Sequence, residues 1–285
     1  MKKTAILLVG LFTLLLGLEW RIRQRAAASP GAWATRPLPA ADPAATRIVV
    51  LGDSIAYGDG LPAAQTWPAQ LEERLRKGYP HRRWQVINAG VSGSTTADAY
   101  VRYDLHVRAW RPHVVIIALG LNDCRVVPRP LDARRVAAFH RNEIPLLGHS
   151  YLFRGVLNRI VPLPPGRDAN ERAPESPRIP YRDFSSLLDW FVRSDRSLHA
   201  QTVFLTLAPL GPQLAAERAR EFAHWSEYNE VIRAQAQAHG LPLIDISAPF
   251  PAADFWMPDG VHLSARGEAE IAERVYAALP IISEY

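Results

Sequence analysis

The chain has 285 residues, 48% of them hydrophobic and 21% charged, which is an ordinary globular composition and enough length for one large domain with extra segments. Its net charge of +5 is not carried by any long run of Lys and Arg, and no nucleic-acid motif is visible, so we predict no nucleic-acid partner. The single cysteine, Cys124, excludes an intramolecular disulfide, and we interpret it as a buried, unreactive thiol.

The N-terminal segment resembles a signal anchor or a signal peptide. Residues 1–25 begin with Met1-Lys2-Lys3, continue with an apolar run over 5–18 and end with three arginines. We expect an uncleaved anchor, which makes the membrane a partner and puts the folded domain outside the cytoplasm, in the periplasm or cell envelope. A cleaved signal peptide, giving a secreted protein, and a buried or peripheral helix are the alternatives. Residues 26–45 are rich in Ala and Pro and predict a linker.

From Thr46 onward the chain alternates between predicted strands and helices. Continuous apolar runs predict strands at 47–51, 84–87, 113–119, 201–207 and 243–246. Helical spacing of apolar residues predicts helices at 67–77, 96–110, 181–198, 213–238 and 265–279. This alternation predicts one α/β domain over 46–285, with a parallel sheet that helices cover on both faces.

The predicted domain contains an insertion. About eighty residues separate the third and fourth strands, too many for one crossover helix. Because 181–198 can supply that helix, we predict an insertion at about 125–180. Residues 151–161 within it are basic and amphipathic, and residues 162–180 hold six prolines in nineteen positions. Such insertions are often lids or binding loops, and a packed surface excursion without a ligand role is an equal alternative.

Polar residues follow the first three predicted strands. Ser54 ends a Gly-Asp-Ser turn after the first strand, Gly93 follows the second and Asn122 follows the third, while Asp259 and His262 precede the last helix. Ligands of open α/β sheets bind at the carboxyl ends of the strands. Taken alone, Gly-Asp-Ser favours a simple turn in which the serine caps the next helix, and it is the rest of the chain that favours a nucleophile.

These residue types suit the hydrolysis of an ester through a serine. Ser54 is the candidate nucleophile, and His262 is the candidate base because histidine as a residue type titrates near neutral pH. Asp259, three residues earlier, can orient the imidazole through a tight turn. The backbone N–H groups of Ser54 and Gly93 and the side-chain amide of Asn122 can form an oxyanion hole. The other histidines have no ligand spacing, so we predict no metal and no cofactor.

Four sequence blocks carry a resemblance to a known family. Gly52-Asp53-Ser54, then Gly93 within Asn88–Gly93, then Gly120-Leu121-Asn122-Asp123, then Asp259-Gly260-Val261-His262 resemble the blocks of the SGNH, or GDSL, hydrolases, in the same order and at the same strand ends. The resemblance covers about 46–123 and 181–280. It implies a flavodoxin-like three-layer α/β/α fold with a five-stranded parallel sheet, and metal-free esterase, lipase, thioesterase or carbohydrate O-deacetylase activity. It also implies the site roles given above.

We therefore predict a membrane-anchored serine ester hydrolase that forms an acyl-enzyme on Ser54. Its substrate would be a lipid or an O-acetylated glycan, and the anchor and the amphipathic insertion favour an ester close to the membrane. One alternative is an O-acyltransferase, if the insertion excludes water. Another is a non-catalytic binding or scaffold module of the envelope.

Other polar and aromatic residues near these blocks have structural interpretations. We expect Asp53 to bind nearby backbone rather than to act in catalysis, and Asp123 to form the turn beside Asn122. Phe255-Trp256-Met257-Pro258 directly precedes Asp259 and could line an acyl or sugar pocket, with burial in the core as the alternative.

Overall fold

The computed structural model describes residues 13–21, 35–127, 132–142 and 176–279. Contacts divide these residues into two units, one with 13–21 and 132–142 and the other with 35–127 and 176–279. The larger unit contains every residue that the sequence predicts for the site.

In the described part of the smaller unit, helices lie at residues 13–21 and at Ala133–Asn142. Among the described residues, no helix is long and apolar enough to cross a membrane. The predicted membrane helix is therefore not confirmed, and its remaining parts, 1–12 and 22–25, lie outside the described residues. The same holds for 26–34 of the predicted linker and for 128–131 and 143–175 of the predicted insertion.

The larger unit is built on a parallel sheet. Its strands are β1 (Thr46–Gly52), β2 (Trp84–Asn88), β3 (Val114–Ala118), β6 (Gln201–Leu205) and β7 (Leu243–Ile244), in the order β2-β1-β3-β6-β7. A separate antiparallel pair, β4 (Val126–Val127) with β5 (Ser176–Pro177), joins the two ends of the predicted insertion. The chain first adds β2 on one side of β1 and then β3 on the other, so the connections diverge at the carboxyl ends of β1 and β3.

Helices cover both faces of the sheet. They are α1 (Ser54–Tyr57), α2 (Trp67–Gly78), α3 (Thr96–His106), α4 (Tyr181–Ser197), α5 (Ala216–Glu221), α6 (Trp225–His239) and α7 (Ala265–Ala278). Helix α2 packs with α7, and α4 packs with α3 and α6. The central strands are inaccessible on both faces, with Ile48, Val49 and Val50 all at 0% exposure, which explains their continuous apolar sequence.

Two helix predictions need correction. The helix predicted over 213–238 is two helices, α5 and α6, separated by a turn at 222–224. Phe222 in this turn is buried, whereas α5 buries none of its own residues. The helix predicted to reach 110 ends at His106 and is followed by a single 3₁₀ turn. Thr95 caps α3 through a reciprocal capping box with Asp98.

A buried carboxyl group in α4 makes stability depend on pH. Asp195 accepts hydrogen bonds from Tyr103 Oη (2.5 Å) and Thr202 Oγ1 (2.7 Å). Burial raises its pKa to about 7, and these hydrogen bonds oppose the rise only partly. The folded chain thus holds a proton that the unfolded chain loses near its ordinary pKa, and the stability gained from it disappears as pH rises through about 7.

Asp195→Asn should therefore gain stability relative to the wild type as the pH rises. Asparagine mimics the protonated acid, so the unfolding free energy of the wild type minus that of the variant should fall by about 2 to 4 kcal/mol between pH 4 and pH 8. Urea denaturation across this range measures the difference. Glu230→Gln removes an exposed carboxylate that pairs with Arg233 at 2.6 Å, so the corresponding difference should change by less than about 1 kcal/mol. A flat result for Asp195→Asn would refute the proposed proton uptake.

Candidate active site

Ser54 follows the first strand, and its hydroxyl group does not cap the next helix. A side chain at Gly52 would collide with Ala56, whose Cβ would lie 2.4 Å away, so glycine lets the chain turn tightly here. The side chain that caps α1 belongs to Asp53, whose carboxylate accepts from Ile55 N at 3.0 Å, as expected for a backbone-binding role. This frees Ser54 for another partner, and the turn-only interpretation of Gly-Asp-Ser does not describe this site.

That partner is His262. Its Nε2 lies 3.1 Å from Ser54 Oγ, and its Nδ1 lies 2.6 Å from Asp259 Oδ2. Serine, imidazole and carboxylate thus form one continuous hydrogen-bonded series. The side chains of His262 and Asp259 are 26% and 30% exposed, so the series opens to solvent.

A tight loop places Asp259 beside His262. Met257 N donates to His262 O (2.8 Å), and Gly260 N donates to Met257 O (3.0 Å), which closes the loop on both sides. Gly260 has φ of 68°, a left-handed conformation that favours glycine. Partial burial opposes ionisation of Asp259, but hydrogen bonds from the N–H groups of Val261 and His262 and from the His262 ring outweigh it and hold its pKa below the usual value. The carboxylate therefore stays charged opposite the imidazole.

The predicted oxyanion donors come from three loops of the same sheet edge. In the described residues around the site, neither Ser54 N nor Gly93 N donates to another protein group. The Gly93 peptide is fixed by Arg178, which donates to its carbonyl at 3.1 Å. Asn122 Nδ2 donates to Ser94 O at 3.2 Å, which ties the third loop to the second and leaves one amide hydrogen for a ligand.

Asp123 has a wider role than the turn that we expected. Its carboxylate is fully buried and accepts from Thr96 N at 3.0 Å and from the Thr96 hydroxyl. It thus connects the loop after β3 to the first turn of α3. This contact fixes the position of the neighbouring Asn122.

The likeness to known proteins agrees with this geometry. A model of the GDSL-like lipase/acylhydrolase family matches residues 50–269, which include all four sequence blocks. The chain belongs to this family. Its parallel five-stranded sheet with flanking helices is the SGNH α/β fold, as predicted.

Individual relatives of this GDSL-family chain match over shorter stretches. Esterase TesA of Pseudomonas aeruginosa is 41% identical over 81 residues, which are 28% of this chain and 39% of the relative. An arylesterase of Vibrio mimicus is 35% identical over 86 residues, which are 30% of this chain and 42% of the relative. The chain thus spans about two fifths of the length of these curated relatives. The crystal structure of a lipase/acylhydrolase from Enterococcus faecalis is similar in fold, with a TM-score of 0.55, 22% identity and coverage of 81% of this chain and 93% of that chain.

Two residue groups of this GDSL-family chain are structural. Phe255 and Trp256 are buried, and Trp256 Nε1 donates to Pro209 O at 2.8 Å, so this pair belongs to the core rather than to a pocket. Met257 is only partly buried and lies against Gly60, near the site. Cys124 is buried, and burial raises its thiol pKa, in agreement with an unreactive role.

Sequence reasoning missed two residues beside the site. Asp59 Oδ2 lies 3.6 Å from His262 Nε2 and accepts a hydrogen bond from Ser92 Oγ at 2.5 Å. Arg36, in the predicted linker, donates to three carbonyls of the loop that carries Asp59. The signal for Asp59 was present in the sequence, since glycines flank it on both sides five residues after Ser54.

Proposed function

We propose that this chain is a carboxylic ester hydrolase that uses Ser54 as its nucleophile. The observation that carries the proposal is the series of Ser54 Oγ, His262 and Asp259, with distances of 3.1 and 2.6 Å, beside the N–H groups of Ser54 and Gly93 and the second amide hydrogen of Asn122. Esterase and arylesterase activities in the names of two relatives support the same reaction class.

In each proposed step, His262 accepts or donates the proton that must be transferred. Ser54 Oγ attacks the acyl carbon while His262 Nε2 takes its proton, and the charge on Asp259 stabilises the imidazolium. The oxyanion is held by Ser54 N, Gly93 N and the Asn122 amide. Collapse of the tetrahedral intermediate breaks the bond to the alcohol, which leaves with the proton from His262. A water molecule then gives a proton to His262 and attacks the acyl-enzyme, and Ser54 leaves with that proton.

A Ser54→Ala comparison tests this proposal. Wild-type chain should hydrolyse p-nitrophenyl acetate, butyrate or decanoate and should react with a fluorophosphonate, while Ser54→Ala should lose about 10⁴-fold in kcat and all labelling. The relative rates for the acetate, butyrate and decanoate esters then show whether the enzyme prefers short acyl groups or long, lipid-like ones. Labelling without hydrolysis would favour acyl transfer to another acceptor. A folded wild type with neither labelling nor turnover would refute the hydrolase and favour a binding module.

The proposed substrate is a lipid ester or an O-acetylated glycan in the cell envelope. We propose that residues 1–25 anchor the protein, that 26–45 connect the anchor to the domain with Arg36 held against it, and that 46–285 form the hydrolase domain. The helix at residues 13–21 exposes Leu14 and Trp20 at 68% and 63%, which supports contact with an apolar environment. The same assay, applied to membrane and soluble cell fractions, tests the anchor, because Ser54-dependent activity confined to the soluble fraction would refute it.

A further inference from the structure

Asp59 places a second carboxylate close to the imidazole of His262, the proposed base. Asp259 faces Nδ1, whereas Asp59 Oδ2 lies 3.6 Å from Nε2, the nitrogen that also faces Ser54. The side chain of Asp59 is 28% exposed, so it borders the open part of the site. The proposed proton transfers need His262 and Asp259, and none of them uses Asp59.

The backbone fixes Asp59 at this place. Gly58 and Gly60, on either side of it, have φ of 71° and 79°, and Asp59 N donates to Ser54 O at 3.2 Å. Arg36 holds the same loop with three hydrogen bonds of 2.6 to 2.8 Å, to the carbonyls of Tyr57, Gly58 and Leu61. Because its loop is held at so many points, the Asp59 carboxylate stays at a fixed position relative to Ser54.

The departure of the alcohol at His262 Nε2 indicates which part of the substrate would lie next to Asp59. When the tetrahedral intermediate collapses, the alcohol oxygen must take its proton from His262 Nε2 and therefore approaches to hydrogen-bond distance of that atom. Groups of the alcohol next to this oxygen then lie close to Asp59 Oδ2. Within residues 35–127 and 176–279, Ser92 is the hydrogen-bond donor found on the Asp59 carboxylate, which leaves acceptor sites for a ligand.

We propose that Asp59 selects the alcohol part of the substrate. It accepts a hydrogen bond from a free hydroxyl on the carbon next to the esterified one, so the preferred substrates are esters of polyols, whether sugars or glycerol. This assignment rests on the proposed function and specifies its substrate class. Asp59 is thus a specificity-determining residue, and Ser92 holds its carboxylate in the accepting orientation.

A pair of acetates of equal carbon skeleton tests the assignment. Glycerol 1-acetate has two free hydroxyls, whereas propyl acetate has none, and acid release by the full chain can be followed for both. We expect the wild type to prefer glycerol 1-acetate by at least about tenfold in kcat/KM, since hydrogen bonds to charged groups discriminate on this scale. Asp59→Ala should reduce that preference about tenfold, because it should lower kcat/KM for glycerol 1-acetate more than kcat/KM for propyl acetate. The isosteric Asp59→Asn should give an intermediate preference.

The outcomes separate this assignment from the proposed function. If turnover depends on Ser54 but Asp59→Ala slows both acetates equally, Asp59 acts through His262 and the specificity assignment is wrong. An unchanged preference in Asp59→Ala also overturns it. Absence of any Ser54-dependent turnover overturns the hydrolase itself and the assignment with it. A monoacetate of a methyl xyloside, assayed in parallel, identifies which polyol source is preferred.

Discussion

Asp259→Asn is expected to lower kcat/KM for p-nitrophenyl acetate by about 10³- to 10⁴-fold without unfolding the chain. Asp259 Oδ1 accepts from the backbone N–H groups of Val261 and His262, both at 3.0 Å, while Oδ2 faces His262 Nδ1. Because the two backbone donors require an oxygen, asparagine would turn its NH₂ group towards the imidazole. His262 would then carry its proton on Nε2, where it cannot accept the proton of Ser54.

A nearby carboxylate provides the matched control. Asp254 is 61% exposed and pairs with Arg266 at 2.5 Å, so Asp254→Asn should leave kcat/KM within about twofold of the wild type. Circular dichroism should show both variants folded. Activity of Asp259→Asn within tenfold of the wild type would mean that Asp259 does not select the tautomer of His262.

The largest loss of stability is expected for Arg102→Met. Arg102 is 1% exposed and donates to the carbonyls of Ala89 (2.6 Å) and Gly52 (2.8 Å) and to Ser94 Oγ (3.2 Å). Burial lowers its pKa to about 9, so the group is still cationic at neutral pH. It joins the strand before Ser54 to the loop that contains Gly93. Methionine fills a similar volume without donors, and the free energy of unfolding should fall by about 3 to 5 kcal/mol.

Denaturation by guanidinium chloride measures this loss. Arg108→Ala is the matched control, because Arg108 is 46% exposed and its pair with Asp104, at 2.8 Å, lies on the surface. Its effect should stay within about 0.5 kcal/mol. A loss below about 1 kcal/mol for Arg102→Met would show that the buried guanidinium contributes little net stability.

The sheet and the candidate nucleophile could be predicted because their signals are local. Fully buried parallel strands such as β1 and β3 must be continuously apolar, and the polar residues that follow them stand out against that background. The short spacing from Asp259 to His262 limits the loop to few conformations. The end of α3 and the break between α5 and α6 were not predictable in this way, because the buried position of Phe222 depends on distant parts of the fold.

Arg102 and Arg36 were missed for a related reason. From sequence alone, an arginine in a helix is expected to be exposed to solvent. Only the packing of α3 against the sheet turns Arg102 towards the interior. Arg36 lies in a stretch rich in Ala and Pro that predicts a linker, yet its guanidinium meets carbonyls 21 to 25 positions further along the chain. Contacts of this kind have no periodicity for a sequence pattern to reveal.

The hydrogen bond from Ser54 to His262 joins residues 208 positions apart. During translation, Ser54 therefore leaves the ribosome long before His262, its proposed base, has been synthesised, so the proposed nucleophile is not yet activated in the nascent domain. Only docking of the segment that ends in α7 assembles the pair. Recovery of esterase activity after dilution from denaturant should consequently be among the last events of refolding, because contacts of high sequence separation form slowly.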